Sequence, residues 1–350
     1  MIAAFQLVLR VTPKMTTDTD WCRGLPIVVT GGLGFIGSNL ALRLESLGAR
    51  VTLIDKMLTQ YGANPHNIAD PIRVNRSTPP LQVIEADIGA TALIEKAVAE
   101  AKVIFNIAGQ TSHMDSMNDP LEDMRLNQES NLRFLDLIRR VNPTARVVFS
   151  STRQFYGAPR YLPVDEDHPI NPPDINGVHK YAAESYHMLY ARIYGMRTTA
   201  LRLTNVFGPR MRIRDAKQTF LGIWVRHAVE GSRFEVWGGD QLRDFSYVED
   251  LVDALLATAH SEASVGHVYN LGGCPAVSLL DLAELLVRIA GSGSYERKVF
   301  PEERKKIDIG DYYCDDTPFR AATGWQPRID LEEGLRRTVA YYRANAEHYL

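Results

Sequence analysis

Short apolar runs alternate with longer segments of helical periodicity from Pro26 onward. The runs are rich in β-branched residues, which is typical of buried strands, and the intervening segments place apolar residues on one helical face. Because strands and helices alternate, the pattern predicts an α/β fold, a doubly wound parallel sheet with helices on both faces. The predicted strands are IVVT, VTLID, LQVIEAD, VIFNIAG, ARVVFSS, RTTALRLTNVFG and HVYNLGG.

The pattern also predicts how the chain divides. Two long helices are predicted at about residues 120–141 and 177–194, and the first has one apolar stripe. After Pro209 the elements become shorter and richer in aromatic and arginine residues, which indicates a smaller second domain. The stripe consists of Leu121, Met124, Leu132, Leu135 and Ile138. The predicted parts are an extension (1–24), the main sheet domain (25–208, with a return segment at about 241–274) and a smaller α/β substrate domain (209–240 and 275–350).

Composition narrows the classes of partner. The 350 residues are 45% hydrophobic and 23% charged with a formal charge of -3, which favours neither nucleic acid nor an anionic membrane as partner. The opening MIAAFQLVLRV is shorter than the ~20 residues that span a bilayer. Cys22, Cys274 and Cys314 are an odd number at wide spacing, so we expect free thiols and a cytoplasmic location. No metal site is predicted.

A glycine-rich turn, GGLGFIG, follows the first predicted strand and opens a helix. Glycine at Gly31, Gly34 and Gly37 removes the Cβ that would keep a pyrophosphate from the helix N-terminus. Phe35 and Ile36 lie within the same turn. Strand, glycine turn and helix in this order predict a dinucleotide site.

Acidic and small residues at the next strand ends extend the predicted cofactor site. Asp55 ends the second strand, about 20 residues on, where a carboxylate accepts from both ribose hydroxyls, which favours NAD over NADP. Lys56 is the one neighbour that suits a 2′-phosphate instead. Asp87 and Ile88 follow the third strand, where Asp87 faces the adenine or forms a turn. Ala108 and Gly109 follow the fourth strand, where the backbone must pass close to the cofactor.

Several ordered motifs resemble the extended short-chain dehydrogenase/reductase family, the NAD-dependent nucleotide-sugar epimerases and dehydratases. The resemblance runs from about Pro26 to Tyr342. It implies a Rossmann domain with a C-terminal substrate domain, a bound NAD and a nucleoside diphosphate sugar as substrate. The motifs are TGGLGFIG, FSSTRQFYG, PVDEDHP, LRLTNVFGPR, GGDQLRDFSYVEDLVDALL, VYNLGG and ATGWQPRIDLEEGLRRTVAYY.

The resemblance assigns the residues of the catalytic strand. Thr152 matches the serine or threonine that bonds the reacting sugar hydroxyl. The two positions after it hold an acid pair in the dehydratase branch, and here they are Arg153 and Gln154. Neither side chain is a general acid of suitable pKa, which disfavours a 4,6-dehydratase. Gln154 is instead assigned to substrate binding.

The tyrosine of the family's Tyr-x-x-x-Lys motif is absent. Lys180 matches the lysine that binds the nicotinamide ribose, but Asn176 stands where the proton-transferring tyrosine is expected. An amide exchanges no proton near neutral pH, whereas a phenol can be tuned to do so. The replacement base is left open among His179 on the same helix, His113 in GQTSHMDS, Lys180 itself, and a water held by Asn176 and Thr152.

The resemblance also assigns the residues that contact the substrate. Asn205 matches an asparagine that contacts the sugar or phosphate, and Arg243 matches the arginine that meets the diphosphate. Gln218 lies where relatives bury the sugar nucleotide. Lys305 and Lys306 fall near another phosphate-binding position of the family.

Three functions are compatible with these residues. The first is a UDP-glucose 4-epimerase-like enzyme in which tightly bound NAD takes and returns a hydride, with a non-tyrosine base. The second is a decarboxylase or ketosugar reductase of the same family. The third is a low-turnover protein that binds NAD and nucleotide sugars. By analogy with the family, we expect a homodimer formed through the two long helices.

Overall fold

The computed structural model describes residues 20–69, 81–301 and 308–350. In this part of the chain seven parallel strands form one sheet, in the order β3-β2-β1-β4-β5-β6-β11. Short two-stranded pairs join β7 to β10, β9 to β12, and β8 to β13. The strands are β1 Pro26–Thr30, β2 Arg50–Asp55, β3 Gln82–Glu85, β4 Val103–Asn106, β5 Arg146–Thr152, β6 Arg197–Leu203, β7 Asn205–Phe207, β8 Arg233–Trp237, β9 Leu242–Arg243, β10 Phe245–Tyr247, β11 Val268–Leu271, β12 Val277–Ser278 and β13 Ser294–Lys298.

Helices cover both faces of this sheet, so the predicted doubly wound Rossmann fold is confirmed. The strand order reverses at β1, which lies between β2 and β4, and a crevice opens beyond the carboxyl ends of strands at such a switch point. The helices are α1 Phe35–Ser46, α2 Thr91–Glu100, α3 His113–Asn118, α4 Pro120–Met124, α5 Ser130–Val141, α6 Ile175–Tyr194, α7 Phe220–Glu230, α8 Val248–His260, α9 Leu279–Ala290, α10 Thr317–Thr323 and α11 Leu331–Asn345.

The helical segment predicted at 120–141 is interrupted. A π-helical turn, Arg125–Glu129, separates α4 from α5. The extra residue in this turn shifts the helical phase, so the predicted single stripe is wrong: Leu135 and Ile138 are fully buried, whereas Leu121 is 71% exposed. Met124 and Leu132 are also exposed, so Leu135 and Ile138 are the members of the predicted stripe that pack into the core under the sheet.

The hydrophobic core has separate clusters on the sheet and in the C-terminal region. The C-terminal cluster is built mainly from α7, α9 and α11 with the short strands between them. Strand β11 pairs with β6 and helix α8 packs on α1, so the return segment belongs to the sheet domain. This packing supports the predicted domain boundaries, which stay a prediction.

Two sequence-based expectations concern the environment of the protein, namely membrane association and the oxidation state of its cysteines. Within the described residues, no helix is long and apolar enough to cross a bilayer. Cys22, Cys274 and Cys314 are free. The cytoplasmic location stays a prediction, and the 1–19 part of the extension lies outside the described residues.

Candidate active site

One cavity of about 1130 Å³ opens at the carboxyl edge of the sheet and continues toward the C-terminal region. Nearly every residue that the sequence assigns to the site lines it, and His179 is the exception within the described residues. The lining includes Gly31, Gly34, Phe35, Ile36, Gly37, Asp55, Lys56, Asp87, Ile88, Ala108, Gly109, His113, Thr152, Gln154, Asn176, Lys180, Asn205, Gln218 and Arg243.

The glycine turn fits a dinucleotide phosphate. Gly31 has a φ of 65°, and a Cβ there would lie 3.0 Å from the Ala108 Cα. A Cβ at Gly37 would collide with the carbonyl oxygen of Gly31, whereas one at Gly34 would lie 3.3 Å from the same oxygen. The turn thus packs tightly on itself and leaves the N-terminus of α1 open to the cavity, where amide groups and the helix dipole favour an anion.

Asp55 is held where an adenosine ribose would lie. It is buried, and its two carboxylate oxygens accept from the backbone N–H groups of Leu33 (2.9 Å) and Met57 (2.8 Å). Burial raises the pKa of Asp55 above its usual value. Each oxygen keeps a lone pair for a ribose hydroxyl. Lys56 Nζ lies 3.3 Å from Asp87, so the nearby cation is already engaged by an acid, which favours NAD.

Asp87 stabilises a turn and also forms ion pairs with two basic side chains. Its Oδ1 accepts from the Gly89 N–H and the Ser130 hydroxyl, both at 2.8 Å, and its Oδ2 accepts from Arg125 at 2.9 Å. Burial alone would raise the pKa of Asp87, but these donors and Lys56 bring it below its ordinary value. The π-helical turn brings Arg125 to Asp87, and no local sequence pattern predicts this contact. Contact between Asp87 and adenine stays a prediction.

Helix α6 carries Lys180 to the cavity. A Cβ at Gly109 would lie 2.5 Å from Lys180 Nζ, so glycine at that position leaves room for the lysine ammonium group where it stands. Burial lowers the pKa of Lys180 to about 8, against the opposing effect of the Asp123 charge. Lys180 therefore exchanges between its ammonium and amine forms near pH 8, beside the backbone that borders the cofactor site.

A buried carboxylate, Asp123, organises the residues around Asn176, the position where the resemblance predicts a tyrosine. Its Oδ2 accepts from the side-chain amides of Asn127 and Asn176, both at 3.1 Å, and its Oδ1 lies 2.7 Å from His179 Nδ1. Asn176 also donates to the Gln110 carbonyl at 3.0 Å. The amide of Asn176 is thereby fixed in place. His179 packs against Asp123 outside the cavity lining, so the geometry does not bring it to a substrate.

His113 lines the cavity and has a carboxylate partner. Its Nδ1 lies 2.9 Å from Asp174 Oδ2 but does not meet the geometry of a hydrogen bond. Asp174 caps α6 by accepting from the Gly177 N–H at 2.7 Å, and Gln154 Nε2 donates to it at 3.1 Å. Burial would raise the pKa of Asp174, but His113 and these donors hold it below its ordinary value. The carboxylate therefore stays ionised beside the imidazole.

The strand-end residues have mixed roles. The Thr152 hydroxyl accepts from the Gln154 N–H at 3.1 Å and also lines the cavity, so it both caps the turn and faces the ligand space. Gln154 is tied to Asp174 by its amide nitrogen. Its assignment to substrate binding stays a prediction, because the carbonyl oxygen is the part of the side chain left for a ligand.

The substrate-side residues line the far part of the cavity. Asn205 Nδ2 donates to the Asp244 carbonyl at 3.0 Å, and its Oδ1 accepts from Arg153 at 2.9 Å. Arg243 is buried, donates to the Gly310 carbonyl and lies 3.2 Å from Asp308. Gln218 Oε1 accepts from the Arg212 N–H at 2.8 Å. Lys305 and Lys306 lie outside the described residues.

Comparison with known proteins identifies the family of this site. The sequence pattern of the NAD dependent epimerase/dehydratase family matches residues 27–272. The chain belongs to this family. The predicted family and its NAD cofactor are thereby confirmed. At the family level the protein is an enzyme of nucleotide-sugar chemistry, and the reaction itself is taken up below.

Similar proteins of this NAD dependent epimerase/dehydratase family carry several activities in their names. The chain is 31% identical to UDP-glucuronic acid decarboxylase 1 of Xenopus tropicalis over 92% of this chain and 73% of the relative. It is 30% identical to a putative UDP-glucose 4-epimerase of Methanocaldococcus jannaschii, over 91% and 99%. The structure of a Thermotoga maritima UDP-glucose 4-epimerase with UDP-glucose has a TM-score of 0.81 at 28% identity, covering 91% and 99%.

The lowered pKa of Lys180 predicts how stability changes with pH. Between pH about 8 and the ordinary value of 10.5, the unfolded chain holds the lysine proton and the folded chain does not. Stability rises with pH wherever the unfolded state binds more protons, so this group adds on the order of 3 kcal/mol across that window. Urea unfolding of the NAD-free protein should therefore show that the free energy of unfolding of wild type, relative to that of Lys180→Met, increases from pH 7.5 to 10. A flat difference would contradict the lowered pKa.

Proposed function

We propose that this protein is a nucleotide-sugar epimerase, of the UDP-glucose 4-epimerase type, that works with a base other than tyrosine. The observation that carries the proposal is one continuous cavity. It joins the glycine turn, Thr152 and Lys180 to the diphosphate-type arginine Arg243. A protein that only binds a nucleotide would not need a lysine and a threonine hydroxyl between the cofactor turn and the substrate arginine.

In this proposal, each residue of the cavity has a role that follows from its position. Bound NAD supplies a reversible hydride acceptor. The glycine turn and Asp55 hold the dinucleotide, and Lys180 bonds the ribose next to the reacting carbon. The Thr152 hydroxyl orients the sugar hydroxyl that loses its proton. His113 takes that proton, because it is the histidine of the pair with His179 that lines the cavity.

Asp174 fixes the position of His113. Its carboxylate oxygen Oδ2 lies 2.9 Å from Nδ1, which leaves Nε2 as the ring nitrogen that would take the proton of the sugar hydroxyl. Because epimerisation restores the sugar hydroxyl, His113 would give the proton back to the same oxygen at the end of the reaction. The hydroxyl proton and the hydride are both restored, so no further reactant is consumed.

A decarboxylase is the second candidate function. The Xenopus relative named as a UDP-glucuronic acid decarboxylase is 31% identical to the chain, close to the 30% of the relative named as a putative UDP-glucose 4-epimerase. Decarboxylation begins with the same oxidation of a sugar hydroxyl and needs the same base. The two candidates differ in whether carbon dioxide leaves the ketosugar. A low-turnover binding protein is the third candidate, and it predicts binding with no product.

Turnover separates the candidates. The purified protein, with NAD added, is incubated with UDP-, dTDP-, GDP- and CDP-linked hexoses and uronic acids, and products are followed by NMR. An epimerase gives the C4 epimer with no loss of carbon, and a decarboxylase gives a pentose and carbon dioxide. Binding of a nucleotide sugar without any product would overturn both enzymatic proposals.

We also propose a homodimer that forms through α4, α5 and α6. These helices expose Leu121, Leu132, Leu189 and Ile193, with Ile193 60% exposed. Light scattering should give twice the chain mass for wild type, and Ile193→Asp should give monomers because it places a charge in the apolar contact. Leu93 is 67% exposed on α2, so Leu93→Asp is the matched control and should remain dimeric. A monomeric wild type would contradict the proposed homodimer.

A further inference from the structure

Arg153 is a cation of the cavity wall that lacks an acidic partner. Its Nη2 donates to Asn205 Oδ1 at 2.9 Å, and its guanidinium stacks 4.7 Å from the centre of the Tyr312 ring. Its Nη1 is buried and makes no hydrogen bond. Within the described residues, no carboxylate lies within ion-pair distance of Arg153, so the charge is not neutralised by the protein.

Apart from Lys180, which is assigned to the cofactor ribose, the other lysines and arginines of the cavity wall lie against acids. Lys56 lies 3.3 Å from Asp87, Lys217 lies 2.7 Å from Asp115, and Arg243 lies 3.2 Å from Asp308. The contrast singles out Arg153 as a cation left for a ligand. A guanidinium that is partly desolvated and unpaired costs free energy, and an anion that enters the cavity removes that cost.

Arg153 lies close enough to Arg243 for their two charges to interact, although the nearby acids Asp308, Asp311 and Asp244 counter this effect on Arg243. Burial lowers the pKa of Arg243 to about 10, and the Arg153 charge adds to that effect. Asp244, an acid of the same region, has its carboxylate occupied by the Thr204 hydroxyl and by the Cys314 N–H at 3.1 Å. Burial raises the pKa of Asp244, and the Arg153 charge opposes that rise without an ion pair between the two residues. Two neighbouring guanidinium groups therefore face one ligand space.

The position of Arg153 points to the sugar rather than to the diphosphate. Arg153 follows Thr152 directly, and Thr152 is the residue that orients the reacting hydroxyl in the proposed function. Arg243 and its neighbours supply the diphosphate side of the cavity. A neutral hexose offers only hydroxyl groups to a guanidinium, whereas a carboxylate accepts its forked donors as a charged pair.

We propose that Arg153 binds a carboxylate on the sugar ring, so that the substrate is a nucleoside diphosphate uronic acid. This inference rests on the proposed function for the placement of the sugar, and it names the substrate class of the same site. It holds equally for an epimerase that keeps the carboxylate and for a decarboxylase that removes it. The relative named for UDP-glucuronic acid is consistent with this class of sugar.

Calorimetry on the full chain with NAD tests the inference without turnover. UDP, dTDP, GDP and CDP are first ranked by binding, and the tightest nucleotide is then tested as its hexose and as its uronic acid. Wild type should bind the uronic acid about 10- to 100-fold more tightly than the hexose. Arg153→Met should remove that preference and leave the affinity for the nucleoside diphosphate unchanged. Arg153→Lys, which keeps the charge but loses the fork, should retain part of the preference.

Two outcomes would overturn the inference. If Arg153→Met weakens the diphosphate, the hexose and the uronic acid equally, the arginine meets the diphosphate. If it changes none of the affinities but lowers the melting temperature, the arginine is a structural contact of Asn205 and Tyr312. A failure of the proposed function would show instead as absence of product from every sugar, while the binding preference could still be measured.

Discussion

His113→Asn is expected to lower kcat by about 10²- to 10⁴-fold, the usual range for loss of a general acid–base group. Asparagine keeps a polar group near Asp174 but cannot take a proton at neutral pH. The affinities for NAD and for the nucleotide sugar should change little, because the imidazole is assigned to proton transfer. Steady-state kinetics and calorimetry on the same preparation would show this split between turnover and binding.

His179→Asn is the matched control for this experiment. It makes the same chemical change as His113→Asn, but at a histidine that shares a helix face with Asn176. Asparagine at position 179 can still bond the buried Asp123. We expect it to lower the free energy of unfolding and to leave kcat within a few-fold of wild type. If His179→Asn loses turnover and His113→Asn does not, the base assignment is wrong. Recovery of His113→Gly by added imidazole would distinguish proton transfer from a structural role.

The alternation of strands and helices was predictable from sequence because strand burial and helix periodicity are local patterns. The glycine turn was equally predictable, since strand, turn and helix adjoin in the chain. The single stripe of 120–141 was not, because the phase shift comes from one extra residue in Arg125–Glu129 that no local pattern marks. The same turn brings Arg125 to Asp87.

The partners of the candidate base were also beyond sequence reasoning. Asp174 is the N-cap of α6, and nothing near it in sequence indicates that His113, the first residue of α3, lies against it. Asp123 likewise meets His179 across a tertiary contact. The family motifs located Thr152, Lys180 and the place of the absent tyrosine. They could not show which of two histidines lines the cavity, because that depends on how three segments pack together.

Gly34→Ala is expected to abolish measurable NAD binding while the protein stays folded. The Cβ at Gly34 would lie 3.3 Å from the Gly31 carbonyl oxygen, so the free protein accommodates it with a shift of a few tenths of an ångström. We expect a stability cost within about 1 kcal/mol, as for alanine at an N-cap. The methyl group would occupy the space where the pyrophosphate approaches the N-terminus of α1.

Gly37→Ala should behave differently, and the comparison locates the cofactor. Its Cβ would collide with the backbone of Gly31, so the turn itself must distort and the free protein should unfold at a lower temperature. Thermal melts without NAD, combined with calorimetric titration of NAD, separate the two variants. Loss of NAD binding with an unchanged melt in Gly34→Ala means that the ligand, rather than the fold, requires that glycine. Unchanged NAD affinity in Gly34→Ala would show that the pyrophosphate does not lie on this turn.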